Sequence, residues 1–210
     1  FFPVLACLLV SAAVAGDGAT PIWQPTTITQ PGTYVVTRNI AGTAGSPVIE
    51  IAASRVELDL NGFTLTATGA PAIRAIGHGN IAIRNGSIDG GTDGIVILGG
   101  GGNPPSISVV IEQVKIWDVD VNGIHLDQVW QYAVRRNFIG LTGADAILVE
   151  NTSTDGGSMP GAIEENQIGY GNRLLVVPLL LDVARFARAV TEGLILQRTL
   201  ATLVAHRAVE

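Results

Sequence analysis

Residues 56–65 read VELDLNGFTL, a strand-like alternation of apolar and polar side chains that runs into an Asn-Gly turn. The chain then rewrites this phrase. Aligned on the last apolar residue, the copies are LDLNGFTL ending at Leu65, IAIRNGSI at Ile88, VVIEQVKI at Ile116, YAVRRNFI at Ile139 and GAIEENQI at Ile168. The steps between them are 23, 28, 23 and 29 residues. A shorter phrase keeps time with the first: VIEI, AIRA, GIVI, GIHL and AILV place Ile49, Ile73, Ile95, Ile124 and Ile147 at intervals of 24, 22, 29 and 23.

A period of this length means a solenoid, a propeller or an array. Each unit is too short for a four-stranded blade and carries no stripe at helical spacing. Two or three short strands per coil fit it, as in a parallel β-helix whose coils stack ~4.8 Å apart. Alternation with period two then sends Leu58, Leu60, Ile81, Ile83, Ile95, Ile97, Ile124 and Leu126 inward. It also predicts an outward column of Asn61, Arg84, Glu112, Arg135 and Glu164. Alternating sign turns lateral repulsion into a charge ladder, worth ~0.2–1 kcal/mol per pair. Asn137 and Asn166 fall in one column at a turn, as a stacked amide ladder requires. The expected fold is therefore all-β, a parallel β-helix (solenoid) of about five to six coils over residues 34–172.

Composition agrees. Charged residues make up 14% of the chain and Gly 26 of its 210 residues, a turn-rich balance suited to a single β domain. Net charge is −6, with 15 acidic and 7 basic residues in 1–172 against 3 acidic and 5 basic in 173–210. No basic footprint exists for nucleic acid. A polyanion would need a bridging divalent cation.

Residues 1–15, FFPVLACLLVSAAVA, form an apolar run closing on Ala13-Val14-Ala15, the pattern of a secretory signal peptide and its cleavage site. The run starts at Phe1 without a basic segment, so the leader is expected to begin upstream. It is too short to span a bilayer, and export to a secreted, periplasmic or extracellular location is expected. Cys7 is the sole cysteine and lies in this leader, which removes disulfides, thiolate metal sites and thiol catalysis from the mature chain. Residues 16–33, rich in Gly, Pro and Thr, read as a linker and approach to the first coil, with Tyr34-Val35-Val36 the first strand. Loops at 99–105 (GGGGNPP) and 152–160 (TSTDGGSMP) account for the longer steps. From Arg173 the repeat is lost. The Leu, Val, Ala and Arg bias of 173–210 permits a helical tail, broken at Pro178 and Gly193, that would cover the last coil. The same bias would arise from a shifted reading frame in a GC-rich gene.

VELDLNGFTL, IAIRNGSI and GIHL, preceded by GTYVV, resemble the right-handed parallel β-helix proteins of the pectate-lyase-like superfamily over residues 26–172. The resemblance implies a right-handed coil and, through the enzymes of that superfamily, polysaccharide as partner. It does not choose among lyase, hydrolase, epimerase and binding protein. Gly77-His78-Gly79 matches a triplet of polygalacturonases, but the acidic and basic motifs that accompany it there are missing. The catalytic Arg of pectate lyases has candidates in Arg84, Arg135 and Arg136, the first two already placed in the charge ladder.

Candidate chemistry gathers at the turn between the two phrases, where Asp89, Asp93, Asp118, Asp120 and Asp145 lie on successive coils. Carboxylates ~6.5–9.5 Å apart serve an inverting glycosidase, which makes Asp118, Asp120 and Asp145 catalytic candidates. Against this, Asp93, Asn122 and Asp145 share one slot before an apolar pair, where an Asx side chain simply caps a turn. Asp118, Asp120 and Asn122 match the first half of a calcium loop, D-x-D-x-N-G, though Val129 stands where the bidentate acid belongs. His125, beside Asp127 on an outward strand face, is a candidate general acid or base. Trp117 and Trp130, with Tyr132, are the aromatic residues near these turns, and Trp117, Asp127 and Trp130 are the candidates for contacting sugar. Two functions follow: an exported carbohydrate-binding or polysaccharide-processing β-helix, with Ca2+ as an optional cofactor, or a non-catalytic extracellular β-helix for adhesion, binding or structure. Exposure of the aromatic residues discriminates between them, because sugars need stacking platforms.

Overall fold

The structure, a computed structural model, describes residues 18–100, 106–152, 160–169 and 173–176. The expected signal peptide (1–15), most of both loops, and the tail from 177 onward lie outside the described residues. Among the described residues the chain is all-β, without a helix and so without one long and apolar enough to cross a membrane.

Strands follow the phrases. β1 (Thr20–Ile22) and β2 (Thr26–Ile28) begin the winding, followed by β3 (Gly32–Val36), β4 (Ile40–Ala41) and β5 (Ile49–Ile51). β6 (Val56–Asp59), β7 (Thr64–Ala67) and β8 (Ile73–Ile76) make the next turn. β9 (Ile81–Gly90) bends across two faces before β10 (Ile95–Leu98), and β11 (Ser106–Val119) does so before β12 (Ile124–Asp127). β13 (Val129–Arg135), β14 (Phe138–Thr142) and β15 (Asp145–Glu150) complete the fifth full turn, and β16 (Gly161–Glu164), β17 (Gln167–Ile168) and β18 (Arg173–Val176) follow. Every pairing is parallel to the strand one coil away. The molecule is a parallel β-solenoid of about five turns with three faces. The first face stacks β1, β3, β6, β9, β11, β13 and β16; the second stacks β4, β7, the far halves of β9 and β11, β14 and β17. The third stacks β2, β5, β8, β10, β12, β15 and β18.

Two boundaries differ from the sequence reading. β1 and β2 lie inside the stretch read as linker, because Ile22 and Ile28 are buried against the first full turn. β18 lies inside the stretch read as tail: Leu174-Leu175-Val176 continue in register with Ile147-Leu148-Val149 although the composition has already changed.

Inward columns fill the solenoid. Ile73, Ile95, Ile124 and Ile147 stack in register on the third face, and Leu65, Ile88, Ile116 and Ile139 on the second, all fully buried. Each such side chain contributes ~1.5–3 kcal/mol through removal from water. The corners bend at left-handed residues that keep the same period as the strands: Asn80, Ser108 and Gln131 before the first face, and Asn85, Gln113, Arg136 and Glu165 after it.

The charge ladder exists with one member changed. Its column is Asp59, Arg84, Glu112, Arg135 and Glu164; Asn61 is not in it. The first copy of the phrase holds two extra residues in its turn. Alignment on Leu65 and Ile88 is therefore right beyond the turn and slides by two before it. Asn61 instead turns the chain at φ 51°, and its N–H donates to Asp59 Oδ1 at 2.7 Å. Substituting Asp59 makes the signs alternate throughout. Arg84 Nε bonds Asp59 at 3.2 Å and Arg135 Nε bonds Glu112 at 2.9 Å. The amide ladder is also present: Asn137 N–H and Nδ2 both donate to Asn166 Oδ1 at 3.0 Å.

Candidate functional site

The residues singled out in the sequence are spread over the solenoid. The structure does not bring them into one site.

Asn122 and Asp145 sit inside a corner, each only 5% exposed. Asp93 Oδ1 accepts from Asn122 N and Nδ2, both at 3.1 Å, and Asn122 Oδ1 accepts from Asp145 N at 3.2 Å. These three form a stacked Asx ladder that satisfies the backbone of the corner, the role the turn-capping reading assigns them. Asp118 and Asp120 are exposed, whereas Asn122 is buried in the corner. Among the described residues no three His, Cys, Asp or Glu side chains gather closely enough to hold a metal ion.

His125 and Asp127 project from the third face. His125 Nε2 lies 2.9 Å from Glu150 Oε1 on the neighbouring coil. Asp127 stands in register with Glu150 and accepts from Thr152 N (2.9 Å) and Oγ1 (2.6 Å). Glu150 was missed in the sequence because it meets His125 diagonally, two residues beyond His125's partner Leu148. Arg74 on the same face is bound to Glu50 at 2.8 Å. The arginines of the first face are likewise engaged, Arg84 by Asp59 and both Arg135 and Arg136 by Glu112.

The aromatic residues divide. Tyr132 is 8% exposed and occupies the inward column after Ile81 and Val109. Burial pushes its phenol above the ordinary tyrosine value. Trp130, 38% exposed, pairs with exposed Ile107 at the edge of the first face. Trp117, 36% exposed, lies on the second face in the middle of an assembled group. Its ring stacks on Phe138 with centroids 5.7 Å apart and planes 16° from parallel. Lys115 Nζ stands 5.9 Å from each of the two centroids. In register with Trp117 are Asp89 on one coil and Gly140 on the next. A methyl group at Gly140 would collide with the six-membered ring of Trp117, so the absence of a side chain there lets the indole lie across the sheet. Phe138 escaped the sequence reading because it shares a face with Trp117 only once β11 and β14 are known to be neighbours.

No protein-family model, no curated protein and no solved structure matches this chain.

Proposed function

We propose that this is an exported β-helix protein, right-handed and of the pectate-lyase-like kind, that binds polysaccharide on its second face. The observation that carries this reading is the stack of exposed Trp117 on half-buried Phe138 across Gly140. Flat aromatic surface next to hydrogen-bonding carboxylates suits the mixed apolar and hydroxyl faces of a sugar ring. The apolar run at 1–15 supports export, and the repeated phrases support the family resemblance. The test is retention on insoluble and soluble plant, algal and bacterial polysaccharides. The intact protein binds at least one of them, and Trp117→Ala weakens that binding about tenfold. Equal retention of the variant would overturn the reading.

A second reading, polysaccharide cleavage, is favoured by the His125–Glu150 pair beside Asp127 on the third face. A histidine held by a carboxylate can move a proton at a glycosidic oxygen or a sugar carbon. Release of reducing ends or unsaturated products, abolished by His125→Ala, is its expected result. Product release unchanged in that variant would remove His125 from the reaction.

A further inference from the structure

Three carboxylates lie near the aromatic stack along the chain: Asp89 in register with Trp117, Asp118 next to Trp117 in sequence, and Asp120 two residues further on. All three are exposed, and among the described residues their side chains make no ion pair or hydrogen bond. This contrasts with Glu50, Asp59 and Glu112, each bound to an arginine. The one cation at the stack is Lys115, whose ammonium already lies over both rings. The local balance is therefore three negative charges against one positive, on a protein of net charge −6.

Resting on the polysaccharide reading above, we infer that the Trp117 face takes a glycan bearing positively charged amino groups, such as a glucosamine polymer, and rejects polyuronates. The negative quadrupole potential of the indole and phenyl faces is already engaged by Lys115, so the attraction for a ligand's ammonium groups comes from the carboxylates near the stack. Unpaired carboxylates complement them and repel a uronate. The polyuronate expected from the pectate-lyase resemblance has no counter-charge here beyond Lys115. The ring of one sugar residue lies on Trp117, and its amino group or that of a neighbour reaches Asp89.

The test is calorimetric titration at mildly acid pH with oligomers of glucosamine, N-acetylglucosamine, glucose and galacturonic acid of equal length. The intact protein is compared with Trp117→Ala and Asp89→Asn, after circular dichroism and melting show that both variants fold as the parent does. The glucosamine oligomer is expected to bind tightest. Trp117→Ala weakens it about tenfold. Asp89→Asn weakens it about threefold and leaves the N-acetylated oligomer unchanged. If the galacturonate or glucose oligomer binds as tightly as glucosamine, the charge inference falls and glycan binding stands. If Trp117→Ala holds glucosamine as tightly as the parent, the attraction is general to an acidic surface and the inference falls. If no oligomer binds, the charge inference falls, and retention on the wider polysaccharide panel decides whether glycan binding stands.

Discussion

The phenol of Tyr132 fills a place that Ile81 and Val109 occupy on the preceding turns, and Gly161 follows it in the column. A methyl group at Gly161 would strike the Tyr132 ring, so a large residue and an absent side chain share one space. Burial raises the Tyr132 pKa, which means that the unfolded chain ionises at lower pH than the folded one. The stability linked to this group is complete below the ordinary tyrosine value of about 10 and is lost as pH rises beyond it. Melting temperature should therefore fall more steeply with alkaline pH in the parent than in Tyr132→Phe; parallel curves would show that the phenol is not responsible. Leu141 gives a second residue-scale expectation. It holds φ 49° while 48% exposed, so a bulky side chain bears left-handed strain with little burial in return. Leu141→Asn should stabilise the protein by about 0.5 kcal/mol in urea denaturation. A loss of stability would mean that Leu141 packs more tightly than its exposure indicates.

Among the elements, the corner between the first and second faces depends on Asn137, which is buried. Its Oδ1 accepts from Val114 N at 2.9 Å and its Nδ2 donates to Ile111 O at 3.0 Å. It thus ties β11 to the turn between β13 and β14. Asn137→Ala orphans buried backbone groups at ~1–3 kcal/mol each. Unfolding free energy should drop by at least about 2 kcal/mol, with binding to the Trp117 face retained at temperatures where the variant is folded. A drop below about 0.5 kcal/mol would mean that water replaces the amide. The ladder column, by contrast, stands on half-exposed ion pairs and contributes little per pair. The Asn137–Asn166 pairing was readable because both residues stand two places before the isoleucine that ends the repeated phrase, Ile139 and Ile168. The charge column was read one member wrong because alignment on Leu65 was carried back through a turn two residues longer than that of the next coil, which put Asn61 in the place of Asp59.

For the whole molecule, each turn rests only on the turns beside it, so stability is highest in the middle and falls toward both ends. Amide hydrogen exchange should be slowest at Ile95, Ile97 and Ile111 and faster by about tenfold or more in β1, β2, β16 and β17. Uniform protection along the chain would require contacts beyond those of a simple stack. Uneven local stability also suits a binding face. Trp117, Phe138 and Asp89 lie on three adjacent turns, the third to the fifth, so strand stacking holds their spacing without a dedicated loop.

The sequence by itself determined the winding. Burial of an isoleucine or leucine outweighs most other local preferences, and shifting a strand by one residue would expose a whole column. The positions of Ile73, Ile95, Ile124 and Ile147 therefore specify which strands stack and in what register. Only the tertiary structure decided which outward residues meet. Those positions lose little energy in any neighbourhood, and their neighbours depend on how the left-handed corners at Asn61, Asp118 and Leu141 space each strand from the last. That spacing set Trp117 across Gly140 and against Phe138 and placed His125 beside Glu150, neither of which hydrophobic burial alone could dictate.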